Sequence, residues 1–350
     1  MKAESPAVRQ PAEWEPHSAV WTAWPSHPEY WEGHIEAARS DVAGFLRLLS
    51  EPVDGCPDPE VVKVWVDGHE ARCSAEAALG GCGIELMDEP IGDIWFRDIA
   101  PIFVRCRLTD SLQYRAFRYN GWGGKYVMEH DDSVASRIAG MSGVSGWTVP
   151  IVFEGGALDV DGEGLGLTTC SCLLNTNRNP DLNKQEIETF LEAHLGVSSL
   201  IWLGDGLRND HTDGHIDNIA RFVAPGVVVC QSPSGQDDPN REVLLDIANS
   251  LRQWRSMDGG SLEVVEIPSP GKVLDPDGDI IPASHMNFYI ANHRVIMPTY
   301  GTGYEIEALA ALQELFPGRE VVGSPASGLI LGGGSFHCIT QQQPLDGPLP

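Results

Sequence analysis

Positive charge is scarce in this chain: 23 Lys and Arg stand against 50 Asp and Glu in 350 residues, a net charge of −27. Such a surface repels polyanions, which argues against nucleic acid or an anionic membrane as partner and favours a cationic one. Much of this charge serves solubility, but a small cation would still be drawn in. No run of about 18 apolar residues occurs, so no membrane span is expected. The opening residues, Met1 to Val8, lack the apolar segment of a secretory signal. Of the eight cysteines only Cys170 and Cys172 lie close together, and their spacing is not Cys-x-x-Cys. A zinc knuckle or disulfide framework is therefore not expected, and a reducing cytoplasm is the simpler location. The sequence also lacks a Gly-x-Ser-x-Gly elbow, a Gly-x-x-x-x-Gly-Lys phosphate loop and a dinucleotide fingerprint at a strand-to-helix turn. No Pro/Gly/Ser-rich linker divides it, so residues 1–350 read as a single domain.

What is present is a recurring pattern. Apolar alternation predicts strands at 19–25, 61–66, 84–87, 147–153, 200–203, 261–267 and 320–323. Hairpins are expected where 93–104 meets 113–117, at Asp161-Gly162, around Pro225-Gly226, and where 286–290 meets 295–298. Helical spacing is found at 34–50, 69–79, 131–141, 181–195, 239–254 and 304–315, with Asn183 or Asp181 as N-cap and Gly196 as C-cap of the fourth. A hairpin, a helix and a strand thus recur about every 60 to 75 residues. Tight hairpins in each unit argue against a doubly wound parallel sheet. The expected fold is α/β, with units around a pseudo-symmetric axis.

Four polar clusters open such hairpins: Arg97-Asp98, Glu154-Gly155-Gly156, Gly214-His215-Ile216-Asp217, and Gly333-Gly334-Ser335-Phe336-His337-Cys338. Units sharing an axis would bring them together. Each alone has a plainer reading: Asp98 bonding a turn, Glu154 solvated, His215 structural, Cys338 a small buried apolar group. As strand positions i and i+2, His215 and Asp217 would face the same side. Cys338 is likewise expected inside a strand, with glycines beside it leaving room for a ligand. His211 and His215 have the four-residue spacing of helical metal ligands, but the residues that follow are strand formers, which weakens a metal reading. Three carboxylates around a cysteine and a histidine suit a flat delocalised cation. A guanidinium offers paired N–H donors to carboxylates, and its charge favours the thiolate.

The sequence resembles the agmatine deiminase family, which also holds the bacterial peptidylarginine deiminases, within the guanidino-group-modifying superfamily. The resemblance runs through Glu13-Trp-Glu-Pro16, Val20-Trp-Thr-Ala-Trp-Pro25, Asp93-Ile-Trp-Phe-Arg-Asp98, Asn120-Gly-Trp-Gly-Gly-Lys-Tyr126, Phe153-Glu-Gly-Gly156, Trp202-Leu-Gly-Asp-Gly206, Gly214-His-Ile-Asp217, Met286-Asn-Phe288 and Gly332 to Gln342. It implies a five-bladed α/β propeller, or pentein, of pseudo-fivefold ββαβ units. It also implies hydrolysis of agmatine to N-carbamoylputrescine and ammonia without metal or organic cofactor, by a homodimer. Cys338 would be the nucleophile, Asp98 and Asp217 would hold the guanidinium, and His215 would serve as acid and then base, oriented by Glu154. Trp95, Trp122, Gly333 and Gly334 would line the substrate pocket. Peptidylarginine or another small guanidine is the alternative substrate, and a non-catalytic guanidine-binding propeller the alternative of another class. The sequence departs from the family pattern at Ser335-Phe336, at His285, after Tyr126, and at Ala157-Leu-Asp159. Those departures are expected to fall on the substrate's tail.

Overall fold

The computed structural model describes residues 7–53 and 59–347. Five small sheets each repeat one plan: an antiparallel pair, then a helical crossover to a third, parallel strand. Parallel neighbours need a connection of a dozen or more residues, and a helix supplies it. One blade holds Ile102–Cys106 and Leu112–Arg118, the helix Asp131–Ser142, then Ser145–Val152, with Val8–Arg9 added at the edge. The next holds Asp159–Val160 and Leu165–Thr169, the helix Lys184–Leu195, then Ser199–Leu203. The third runs Ala220–Ala224, Val227–Ser232, the helix Arg241–Gln253 and Glu263–Pro268. The fourth runs Tyr289–Ile290, Arg294–Thr299, the helix Glu305–Leu315 and Glu320–Pro325.

The fifth blade is made from both ends of the chain. The late strand Gln341–Pro344 pairs antiparallel with His17–Ala23, with Gln341 opposite Trp21. Two helices, Ile35–Ser50 and His69–Leu79, then carry the chain to parallel strands Val62–Val66 and Glu85–Asp88. This is the expected five-bladed α/β propeller. Among the described residues no helix is long and apolar enough to cross a membrane.

Helix boundaries follow their end signals. In Lys184–Leu195 the Asn183 side chain accepts from the Glu186 amide, and Glu186 returns a bond to the Asn183 amide. That capping box satisfies two amide donors otherwise left unpaired at a helix start. Gly196 closes the helix at φ +75. Helix Ile35–Ser50 buries Ile35, Ala38, Val42, Phe45, Leu46 and Leu49, one stripe at helical spacing. Phe45 stacks on Phe336, with ring centroids 4.6 Å apart. Both rings are fully buried, so each truncation to Ala would cost about 3–5 kcal/mol. The contact ties the blade's first helix to the segment carrying Cys338.

Several stretches expected as strand are not. Phe96–Ile99 is a short helical turn, Ile216–Asn218 a 3₁₀ turn, and Cys338 sits in the turn before Gln341–Pro344. Each holds apolar residues three apart: Phe96 and Ile99, Ile216 and Ile219, Phe336 and Ile339. Spacing of three places side chains on one side of a tight helical turn. Local bonds close these turns, from the Ile219 amide to the Ile216 carbonyl at 2.9 Å and from the Ile339 amide to the Ser335 carbonyl at 3.2 Å. Short apolar runs do not distinguish such a turn from a strand.

Candidate active site

The chain turns inward before the first strand of each blade, and these turns carry the polar clusters to the axis. Asp98 lies in the turn Phe96–Ile99 and is 6% exposed. Its Oδ1 accepts from the Gly156 amide at 2.9 Å and its Oδ2 from Trp122 Nε1 at 2.8 Å. His215 precedes Ile216–Asn218 and is wholly buried. Its Nδ1 lies 3.7 Å from Asp98 Oδ2, and its Nε2 lies 4.0 Å from Glu154 Oε2. Neither ring nitrogen has a hydrogen-bond partner. His215 and Asp217 do face one centre, but through a 3₁₀ turn rather than by strand alternation.

Glu154 is also wholly buried. Its Oε1 accepts from Arg178 Nε at 2.7 Å, while Oε2, toward His215, has no partner. Asp217 Oδ2 bonds His337 Nδ1 at 2.7 Å and lies 3.5 Å from Cys338 Sγ; its Oδ1 is buried and unpartnered. An uncompensated carboxylate oxygen in a dry site costs free energy unless a donor arrives. Asp217 Oδ1 therefore marks where a ligand N–H donor would bind, whereas Glu154 Oε2 faces the His215 ring.

Asn287 holds the cysteine. Its Nδ2 donates to Cys338 Sγ at 3.0 Å, and its Oδ1 accepts from the amides of His337 and Cys338 at 3.0 and 3.2 Å. Burial pushes the Cys338 thiol well above its ordinary value of 9.0, and the negative charges of Asp217 and Asp98 push it further. In His215 burial acts to lower the pKa, but the carboxylate of Asp98 and the Cys172 side chain outweigh it and hold the imidazole well above 6.5. Burial raises Asp98 despite His215. Burial opposes ionisation of Asp217 too, yet the His337 bond and charge bring its pKa below the ordinary value. Together the groups hold a thiol, a charged imidazole and carboxylates that lack a cation.

Glycine is required where these groups converge. A Cβ on Gly156 would lie 2.5 Å from His215 Nδ1 and 2.9 Å from Asp98 Oδ1. On Gly334 it would meet the Trp95 ring at 2.6 Å and Cys338 Sγ at 3.1 Å. Trp95, Trp122, Asp98, Gly333, Gly334 and Cys338 line one cleft of about 810 Å³. Trp95 is fixed by donating from Nε1 to Asp93 at 2.7 Å and by stacking on Trp31. The cleft mouth is acidic, with Glu32, Asp210, Asp275, Asp277 and Asp279.

The structure thus gathers Cys338, His215, Asp98, Asp217 and Glu154, and sets the two tryptophans and two glycines around them. Asn287, His337, Arg178 and Glu13 were not given roles by sequence reasoning. Glu13, Asn287 and His337 stand inside the motif runs, which was the available signal. Most departures from the family pattern do not touch the cleft. Asp159 pairs with Arg221, Phe336 packs on Phe45, and His285 bonds the Pro268 carbonyl at 2.8 Å and stacks on Tyr300. Ser335 is buried as well. The expectation that these positions shape the substrate's tail is corrected for those four; Met128, after Tyr126, does line the cleft.

A buried thiol, imidazole and carboxylate set on a five-bladed propeller is matched by a known family. The model of the Porphyromonas-type peptidyl-arginine deiminases covers residues 9–344, and the chain belongs to that family. Among curated relatives, the agmatine deiminase of Stutzerimonas stutzeri is 37% identical over 95% of both chains. That of Pseudomonas aeruginosa is 37% identical over 96% of this chain and 95% of the other. Among solved structures, the agmatine deiminase of Enterococcus faecalis superposes with a TM-score of 0.88 at 31% identity, covering 98% of each chain. A Cys-to-Ser agmatine deiminase of C. jejuni with substrate bound gives 0.85 at 25% identity, over 97% of each.

Proposed function

We propose that this protein is an agmatine deiminase, a hydrolase that converts agmatine and water to N-carbamoylputrescine and ammonia. The observation that carries the reading is the cluster of Cys338 Sγ, Asp217, Asp98 and His215, of which Cys338 and Asp98 line the acidic cleft. Agmatine deiminase relatives covering 95–98% of the chain support the substrate.

The guanidinium lies with its N–H donors on Asp98 and Asp217, replacing the missing partner of Asp217 Oδ1. Its positive charge stabilises the Cys338 thiolate, which burial otherwise disfavours. The thiolate attacks the guanidinium carbon, forming a C–S bond and a tetrahedral adduct. His215 gives its proton to one nitrogen, the C–N bond breaks and ammonia leaves, giving an S-alkylthiouronium. Neutral His215 then takes a proton from water, whose oxygen attacks the same carbon. The C–S bond breaks as the adduct's hydroxyl proton is released to solvent, where it protonates the departed ammonia; the neutral ureido product leaves and the thiolate and charged His215 are restored. Glu154, fixed by Arg178, faces the imidazole throughout and stabilises its charged form. No step calls for an oxidant or a metal.

The cleft volume favours a second reading, in which the same chemistry serves longer guanidines, peptidylarginine included. Purified protein should be assayed against agmatine, free arginine, peptidylarginine and arcaine, with products identified by mass. Agmatine turnover with the highest kcat/KM supports the proposal. A preference for peptidylarginine replaces it with the second reading, and absence of turnover on any guanidine would sink both.

A further inference from the structure

Behind His215, on the side of Glu154, the structure holds a second cysteine that the deamination steps do not use. Cys172 lies in the short helix Cys170–Leu173, entered from Thr169, whose hydroxyl accepts from the Cys172 amide at 3.3 Å. The residue is fully buried. A Cys172 sulfur, a His215 ring nitrogen and a Glu154 oxygen lie within 4.8 Å of one another. Glu154 Oε2 and both nitrogens of His215 are buried without partners. Burial alone explains an apolar cysteine; it does not explain a sulfur placed against two orphaned donor groups.

We propose that Cys172, His215 and Glu154 form a binding site for a thiophilic divalent cation of the zinc and cadmium type, occupied in competition with the working state of His215. The geometry fits. A point equidistant from three atoms no more than 4.8 Å apart lies at most about 2.8 Å from each, and zinc takes sulfur, imidazole and carboxylate at roughly 2.0–2.3 Å. Side-chain movements of at most about 0.5–0.8 Å per donor close the set. The donors are also chemically matched: thiolate and imidazole select such cations over magnesium or calcium. Charge favours occupancy, because Asp98 and Asp217 flank the imidazole, while Arg178, at 2.7 Å from Glu154 Oε1, opposes it. Arg178 leaves Oε2 free. Binding forms metal–sulfur and metal–nitrogen bonds and releases two protons to solvent, one from the Cys172 thiol and one from the charged His215 imidazole. A bound cation would hold the imidazole lone pair, so His215 could neither give nor take a proton. The cation acts as an inhibitor and takes no part in turnover.

The test reads binding rather than activity, so its failure is separable from failure of the deiminase proposal. The protein used is Cys338→Ser, which removes the cleft thiol and holds no nucleophile. Cadmium chloride is titrated while the thiolate-to-cadmium absorption band and the heat of binding are followed. Exposed Cys73 and the other remaining thiols contribute equally to every variant, so differences isolate the site. One tight equivalent is expected in Cys338→Ser and is lost in Cys338→Ser/Cys172→Ser. Its affinity should fall by more than the roughly 10- to 100-fold seen when only an outer partner of a metal ligand is removed. Far-UV circular dichroism checks that the double variant is folded. Should it not fold, Cys338→Ser/Glu154→Gln serves instead, keeping the absorption band but binding at least about tenfold more weakly. The proposal is overturned if the tight equivalent is absent from Cys338→Ser, or if it persists unchanged without Cys172 or without the Glu154 charge.

Discussion

Two carboxylate clusters lie on opposite sides of the segment carrying His337, and they are built to different ends. On the rear side Glu13 accepts from the Ile290 amide at 2.8 Å, from His337 Nε2 at 2.8 Å and from Arg97 at 3.2 Å, with Arg221 at 3.1 Å. Burial acts against its ionisation, but Arg221, His337 and Arg97 hold its carboxyl well below the ordinary 4.5. Asp159 beside it takes Arg221 and the Phe222 amide. On the cleft side Asp98, Asp217 and Glu154 have one buried arginine between them, and two of their oxygens have no partner. Residue type does not separate a structural carboxylate from a receptor for a cation. The count of donors on the oxygens does. The rear cluster is complete within the chain, whereas the cleft cluster is completed by a positively charged ligand.

The largest expected effect is on the cleft side. Cys338→Ser should lower agmatine turnover by on the order of 10⁴-fold or more, read as ammonia release, because the covalent bond to the guanidinium carbon is made by this thiolate. Asp217→Asn should follow, lowering kcat/KM by roughly 10³-fold with little change in the thermal midpoint, since a charge-assisted pair to the guanidinium is lost. On the rear side the pattern should invert. Glu13→Gln leaves Arg97 without its counter-charge and Arg221 with Asp159 alone, and is expected to cost about 3–5 kcal/mol of stability by denaturant titration. If Glu13→Gln left stability intact, or Asp217→Asn unfolded the protein, the division between the two clusters would fail.

The pH dependence sharpens the same contrast. The reaction needs Cys338 without its proton and His215 with one. Both groups are raised above their ordinary values in the free protein. A state with one proton shared between the two groups gives a bell-shaped kcat/KM, and with both groups raised the bell should peak on the alkaline side of neutrality. A maximum below neutrality would contradict the pair. For Glu13 the folded pKa is depressed, so its contribution to stability is present above the unfolded value and is lost as pH falls through the folded one.

The smallest effect concerns a third kind of carboxylate. Asp131 accepts from the amides of Gly92 and Asp93 at 2.9 and 3.2 Å, has one buried unpartnered oxygen, and is raised by burial to about 7. A raised acid binds its proton more tightly when folded, so it lowers stability as pH rises from the unfolded value to about 7. Asp131→Asn should raise the thermal midpoint at pH 8 by about 1–3 °C and leave it unchanged at acid pH.

Much of this was legible in the residues. Helix His69–Leu79 has the ends expected of it, and Ile35–Ser50 begins one residue later than the 34–50 spacing gave. Both are amphipathic runs with period 3.6. Asp98, His215, Asp217 and Cys338 stand out as polar residues in apolar surroundings, and convergence follows once five like units share an axis. The turns that carry them were not legible as turns. Their apolar residues lie three apart, over only four residues, too short to separate from alternation. Asn287 and Arg178 were missed for another reason. Each acts through a partner distant in sequence, Asn287 on Cys338 and Arg178 on Glu154, and no local pattern encodes that.

The most direct test is equilibrium binding of agmatine to the Cys338→Ser protein by calorimetry, with putrescine as the comparison ligand. An incomplete carboxylate cluster awaiting a guanidinium should bind one agmatine, with putrescine weaker by roughly 100-fold or more, and Asp217→Asn on that background should erase the difference. Equal binding of the two amines, or a preference that survives Asp217→Asn, would contradict it.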